Sequence, residues 1–207
     1  MTETMPEPGI YPAIPFSVYQ SWPAVHQSRL WTLATRTPAH YREEVEHPEE
    51  VDTDAMALGR AVHFAVLEPE LFPTLYVQEP APPDGCEKWD RRTKLHREAW
   101  AAWQDTIGTR EPLDASNWDF CQRARDAARS HPVAAALLKR ASPEVAMVWV
   151  DRATGLTIKA RPDGLIAPAG IILDLKTCLN AEAPTFGRAA GLYGYHFQLA
   201  LYWEVVD

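Results

Sequence analysis

Two carboxylates and an amine punctuate an otherwise apolar stretch. From Arg161 to Cys178 the chain reads RPDGLIAPAGIILDLKTC, with ten residues between Asp163 and Asp174 and Lys176 two positions further on. Polar groups that interrupt a run otherwise fit for burial need a compensating partner. If the two segments are neighbouring antiparallel strands, the carboxylates come close together. Two such groups cannot both stay ionised unless a cation neutralises them. A hard divalent ion such as Mg²⁺ meets that need, because it prefers carboxylate oxygens and retains waters. It also lowers the pKa of a bound water and offsets charge on a phosphate. In a strand, Lys176 faces the same side as Asp174. Its ammonium could orient an attacking water or stabilise phosphate charge in a transition state. A lone Asp-x-Lys is common at a solvated strand end. Arg-Pro-Asp-Gly, an apolar strand and Asp-Leu-Lys in succession form a more specific pattern.

The elements that must position these groups read as α+β, helices first, then a small sheet, then a last helix. Residues 1–15 carry four prolines and read as an irregular lead-in. The rest, 16–207, reads as one domain with a helical part at 16–140 and a sheet core and last helix at 141–207. Short helices are expected over 17–45, interrupted at Pro23 and Pro38, with Trp22, Leu30, Trp31 and Leu33 as core contacts. Asp54 is placed to cap a helix that runs to about Leu67, before Pro69. Residues 79–88 read as a loop, 89–105 as a charged helix with Trp100 and Trp103 on its apolar side. A further helix spans 114–131, capped by Asp114. EVAMVWV at 144–150, LTIKA at 156–160 and GIILDLK at 170–176 are strand-like, and their short links suggest an antiparallel meander. YHFQLALYWEV, near the end, is helical.

Composition narrows the field. Of 207 residues, 46% are hydrophobic, which suits a packed core, and the net charge is −8. The overall basic signature of many nucleic-acid binders is therefore missing, although local patches matter more than totals. Arg91, Arg92 and Lys94 form the clearest such patch. The three cysteines, Cys86, Cys121 and Cys178, lie far apart, which argues against a disulfide framework, a zinc ribbon or a four-cysteine iron–sulfur cluster. They are expected to be reduced, mostly buried thiols of a cytoplasmic protein. No apolar run reaches membrane-spanning length. The N-terminus does not read as a signal peptide. The eight tryptophans sit mostly at helical spacing beside Leu or Ala, which favours core packing over base stacking.

The phrase P-D-x10-D-L-K resembles the signature of the PD-(D/E)XK nucleases. GRAVH at 59–63 is similar to the upstream Gly…His motif of their RecB-like branch, and QLALY at 198–202 to its Gln-x-x-x-Tyr helix. GRAVHFAVLEPELF, DRRTK, TGLTIKARPDGL and YHFQLALY resemble the C-terminal nuclease domain of RecE (exonuclease VIII) and its phage relatives, over about residues 28–203. Each piece is weak alone, and their order and spacing together are specific.

The resemblance implies a restriction-endonuclease-like core with a small mixed, largely antiparallel sheet flanked by helices. It implies a metal held by His63, Asp163, Asp174 and the Leu175 carbonyl, and Lys176 as the catalytic amine. Gln198 would help position Lys176 or the water, and Tyr202 would contact DNA. Glu144 matches an acid upstream of the core, and Arg91, Arg92 and Lys94 become candidates for backbone phosphates. The implied activity is Mg²⁺-dependent hydrolysis of DNA phosphodiester bonds, with Mn²⁺ as a substitute ion and no iron–sulfur cluster. A RecE-like enzyme would act on duplex ends in phage-type recombination, as a homo-oligomer, and pass single strand to an annealing protein. Relatives of this type usually continue beyond the Gln-x-x-x-Tyr helix, so the C-terminus at Asp207 reads as a short or truncated form. That feature motivates the alternative of a non-catalytic DNA-binding or assembly module. A structure-specific or single-strand nuclease of the same superfamily is the other alternative. Gly59 and His63 share one helical face, as do Gln198 and Tyr202. A histidine on an AVHFAVL face is by itself more often a core residue than a ligand.

Overall fold

The apolar run expected as a strand over 144–150 forms one at Ala146–Val150, and it needs both of its faces. Val145 and Met147 join Ile158, Ala160, Leu165, Leu201 and Tyr202 in one buried cluster, while Ala146 and Val148 join Trp22 in another. Alternate side chains of a strand point to opposite faces, so a strand covered on both sides reads as a continuous hydrophobic run.

The computed structural model describes residues 5–48 and 52–206. In chain order the elements are β1 (Gly9–Tyr11), α1 (Phe16–Ser21), α2 (Gln27–Thr35), α3 (Pro38–Glu46), α4 (Asp54–Leu67), α5 (Phe72–Leu75), β2 (Tyr76–Gln78), α6 (Lys94–Ile107), β3 (Glu111–Leu113), α7 (Ala115–Ser130), α8 (Pro132–Leu138), β4 (Ser142–Pro143), β5 (Ala146–Val150), β6 (Thr157–Ala160), β7 (Gly164–Ile166), β8 (Ile171–Leu173), α9 (Ala183–Leu192) and α10 (Tyr195–Val206). They fall into two compact units. One is built from the chain up to Asp52 and from Ala136 onward, the other from Thr53–Ala135.

The first unit holds two small antiparallel sheets, ordered β1-β5-β6 and β4-β7-β8. The chain passes between them twice, at Glu144 from β4 to β5 and at 161–163 from β6 to β7. These passages lie side by side, with the Glu144 amide donating to the Asp163 carbonyl at 3.2 Å. On one face of β5 lies α10, through Leu201 and Tyr202. On the other lie Trp22, Tyr11, Val18 and Tyr19. Lys159, on β6, is 4% exposed. Its Nζ donates to the carbonyls of Tyr19, Gln20 and Trp22 at 2.8, 2.9 and 2.7 Å, so it caps the C-terminal end of α1.

The second unit is mainly α4 against α7, joined by Arg129, which donates to the Val66 carbonyl. Its two strands, β2 and β3, pair in parallel. The architecture is thus α+β with small, largely antiparallel sheets flanked by helices, as expected.

Several local readings shift. The lead-in is not irregular throughout, because Gly9–Tyr11 pairs with Ala146–Val148 as β1. Thr53, not Asp54, caps α4, its side chain accepting from the Met56 amide, and Asp54 becomes the first helical residue. The charged helix begins at Lys94, not Trp89, because Thr93 takes the cap and accepts from the His96 amide. The strand expected over 170–176 ends at Leu173, so Asp174 and Lys176 lie beyond it. Asp163 directly precedes β7, a short strand in GLIAPAG that the sequence reading did not include. Leu33 is exposed, and of the cysteines only Cys121 is buried. Asp114 does cap α7. Among the tryptophans only Trp203 is exposed; the rest are buried or half-buried, as core packing requires.

Candidate functional site

The register of β7 and β8 places the two acids at one end of the strand pair. Gly164 pairs with Leu173 in the last rung of the ladder, and Asp163 and Asp174 are the next residues on each side, so both acids lie at the same end of the pair. Gly164 permits this closure, since a β-carbon there would lie 3.2 Å from Ala141 Cβ and 3.3 Å from Leu173 Cβ. The Leu175 amide donates to Asp163 Oδ2, folding the residues after β8 back over that carboxylate. Asp163 is 9% exposed, and a carboxylate so placed requires such a donor.

Asp174 is engaged on both oxygens. Lys176 Nζ lies 2.6 Å from Oδ2, and Gln198 Nε2 donates to Oδ1 at 3.0 Å. The same Gln198 nitrogen lies 3.1 Å from the Tyr202 hydroxyl. Gln198 and Tyr202 are one turn apart on α10 and face the sheet together. Lys176 is also 5.0 Å above the Tyr195 ring, three residues before Gln198 on that helix. Asp174, with its side chain 7% exposed, is therefore a nearly buried carboxylate with a cation and an amide as partners.

A third acid joins them. A carboxylate oxygen of Glu144 lies within 4.8 Å of one of Asp163. Arg161 Nε contacts Glu144 Oε2 at 2.9 Å. Burial first, and then the carboxylates of Asp174, Asp163 and Glu144, push the Tyr202 phenol up to about 12, against the Gln198 hydrogen bond that lowers it. One phenol thus senses all three acids, and it stays protonated at neutral pH. Tyr19 responds similarly: burial raises its phenol well above the ordinary range, and Tyr202 and Glu144 add to this while Arg161 opposes.

The first unit therefore gathers Asp163, Asp174, Leu175, Lys176, Gln198, Tyr202 and Glu144. Tyr202 is 7% exposed, packed in the core cluster with its hydroxyl on Gln198. His63, Arg91, Arg92 and Lys94 belong to the second unit. His63 is half-buried on α4, one turn after Gly59. Arg91 stacks 4.1 Å over Trp100, Arg92 pairs with Asp90, and Lys94 pairs with Glu98. Arg161, Lys159 and Tyr195 carry no role in the sequence reading. For the first two a signal existed: charges at alternate positions of the apolar strand segment LTIKAR, where unpaired burial is unfavourable.

Three carboxylates set against two cations, Arg161 and Lys176, leave an excess of hard oxygen donors. That donor set fits Mg²⁺ or Mn²⁺ and does not suit a thiophilic metal. A strand pair thus ends beside two acids, with a lysine after the second and a helix behind them. A family model described as a PDDEXK-like domain of unknown function (DUF3799) matches residues 27–207. The chain belongs to that family, and so to the PD-(D/E)XK superfamily. Nucleases of this fold typically use divalent metal ions, and such a domain implies DNA as substrate. No curated protein matches the chain. Among the described residues no helix is long and apolar enough to cross a membrane.

Proposed function

We propose that the chain is a metal-dependent deoxyribonuclease that hydrolyses DNA phosphodiester bonds, of the RecE-like exonuclease type acting on duplex ends. The observation that carries this reading is the placing of Asp163 and Asp174 at one end of the β7–β8 pair, with Lys176 on Asp174. In this reading residues 16–207 act as one nuclease domain. Asp163, Asp174 and Glu144 would hold Mg²⁺ or Mn²⁺, and the resemblance adds His63 and the Leu175 carbonyl to the ligand set. A divalent ion held there would supply a bound water of lowered pKa and positive charge for a phosphate oxygen.

The chain's own groups do the rest. Gln198 fixes the rotation of the Asp174 carboxylate by holding Oδ1, and Tyr202 steadies Gln198 from the next turn. Lys176 presents a positive charge beside the acids, placed to stabilise a developing phosphorane or to orient water. The Leu175 amide keeps Asp163 aimed inward. Arg91, Arg92 and Lys94 contribute phosphate contacts, which would make binding salt-dependent. Phage-type recombination, a cytoplasmic location, a homo-oligomeric state and an annealing partner belong to the same reading and rest on the resemblance.

The test uses end-labelled linear duplex and covalently closed circular duplex, with Mg²⁺ or EDTA, for the parent, Lys176→Ala and Asp163→Asn. Loss of linear duplex only, only with metal, and only in the parent is the expected result. Equal attack on the circle would favour a structure-specific or single-strand nuclease. No attack on either, with Mn²⁺ still bound, would leave a DNA-binding or assembly module.

A further inference from the structure

Glu144 sits in a backbone conformation that few residues adopt, and two neighbours keep it there. Its φ is +52°, in the left-handed region where a β-carbon crowds the following carbonyl. Such residues persist where the surroundings over-determine them, and they cluster at functional sites. Here the Glu144 amide donates to the Asp163 carbonyl at 3.2 Å. Arg161 Nε reaches both the Glu144 main-chain carbonyl at 3.1 Å and its carboxylate Oε2 at 2.9 Å. One guanidinium thus holds the backbone and the side chain of the same residue, and the acid it holds lies within 4.8 Å of the Asp163 carboxylate.

Arg161 is itself held. Its side chain is 13% exposed, and its guanidinium carbon lies 5.3 Å from the Phe16 ring and 5.9 Å from the Tyr19 ring, both on α1. Helix α1 is fastened by the three carbonyl contacts of Lys159, two residues before Arg161. Arg161 Nη1 is buried without a hydrogen-bond partner among the described residues. A pair present only for stability would be expected to satisfy that nitrogen.

We propose that Arg161 is a positioning residue that aims Glu144 so that this acid joins Asp163 in the oxygen donor set for a divalent cation. The proposal rests on the metal-dependent reading above. A lysine at position 161 keeps the charge but has no rigid fork to hold a carbonyl and a carboxylate together.

The experiment is Mn²⁺ titration followed by electron paramagnetic resonance, with no DNA present, on the full chain. The proteins are the parent, Arg161→Met, Arg161→Lys, Glu144→Gln and the Arg161→Met/Glu144→Gln double variant, with far-ultraviolet circular dichroism to confirm folding. Loss of an outer support to a metal ligand typically weakens binding by about 10–100-fold, so Arg161→Met should lose about tenfold and Arg161→Lys a measurable part of that. The double variant should bind no more weakly than Glu144→Gln alone, because both changes remove the same ligand. Should Arg161→Met fail to fold, Arg161→Lys carries the test. Parent-like or tighter binding in a folded Arg161 variant, or an additive loss in the double variant, would overturn the proposal and leave the metal reading standing. No Mn²⁺ binding by the parent would overturn both.

Discussion

Gln198 joins Asp174 to Tyr202: one side-chain nitrogen lies 3.0 Å from Asp174 Oδ1 and 3.1 Å from the Tyr202 hydroxyl. The amide thereby links a carboxylate just beyond a strand end to a phenol in the core. Gln198→Leu removes that link while keeping most of the volume. We expect Mn²⁺ affinity or nuclease rate to fall by about 10–100-fold, the usual cost of losing an outer partner of a metal ligand. Tyr202→Phe should do less, because Gln198 keeps its bond to Asp174. Parallel Mn²⁺ titrations and single-turnover cleavage would rank the two variants, and equal losses would contradict this division of roles.

Lys176→Met separates charge stabilisation from metal holding. Removing a comparable transition-state donor elsewhere lowers kcat by about 10²–10³-fold. A loss of that size, with Mn²⁺ affinity unchanged or improved, is the expected outcome. Improvement is reasonable because Asp174 loses the cation 2.6 Å from its Oδ2. Single-turnover rates at saturating Mn²⁺ would read the first effect and titration the second.

Metal should stabilise the fold. A ligand that binds only the native state at a hundred times its dissociation constant adds about 2.7 kcal/mol. Thermal unfolding with Mn²⁺ and with EDTA should differ for the parent and converge for Asp163→Asn. His63→Ala should fall between them if the imidazole is a ligand.

Gly164→Ala tests the closeness of β7 and β8. The added carbon would meet Ala141 and Leu173 side chains at 3.2 and 3.3 Å. Overpacking of this kind costs about 1–3 kcal/mol. Urea unfolding should register that loss. A neutral result would mean that the strand pair can open without penalty.

His26 gives the stability a pH dependence. It is half-buried before α2, with Nδ1 2.8 Å from the Ser28 hydroxyl. Burial lowers its pKa to about 4, Arg29 and Lys159 add to this, and Glu44 opposes. The unfolded chain, with a histidine pKa of about 6.5, binds more protons in the window between these values. The His26 contribution is therefore largest above about pH 6.5 and is lost as pH falls toward about 4, with a slope of at most about 1.4 kcal/mol per pH unit. Urea unfolding at pH 7 and pH 5 should show a smaller difference for His26→Asn than for the parent.

Periodicity and residue type alone carried much of this protein. The helix that ends before Pro69, the cap at Asp114, the apolar strands around 146–150 and 157–160 and the final helix follow from local rules. The acids Asp163 and Asp174, with Lys176, stand out because charge interrupts an apolar run. What the sequence could not decide was pairing. That Asp163 and Asp174 lie at the same end of one strand pair depends on the Gly164–Leu173 register, which is set by contacts between segments rather than within either. The Lys176–Asp174 pair forms although no strand extends past Leu173, so the alternation rule reached the right neighbours by another route. Glu144 and Arg161 are distant in sequence, and their joint hold on the left-handed turn exists only once two sheets meet there. Local chemistry names the groups, and tertiary packing, through register and close approach, determines which of them meet.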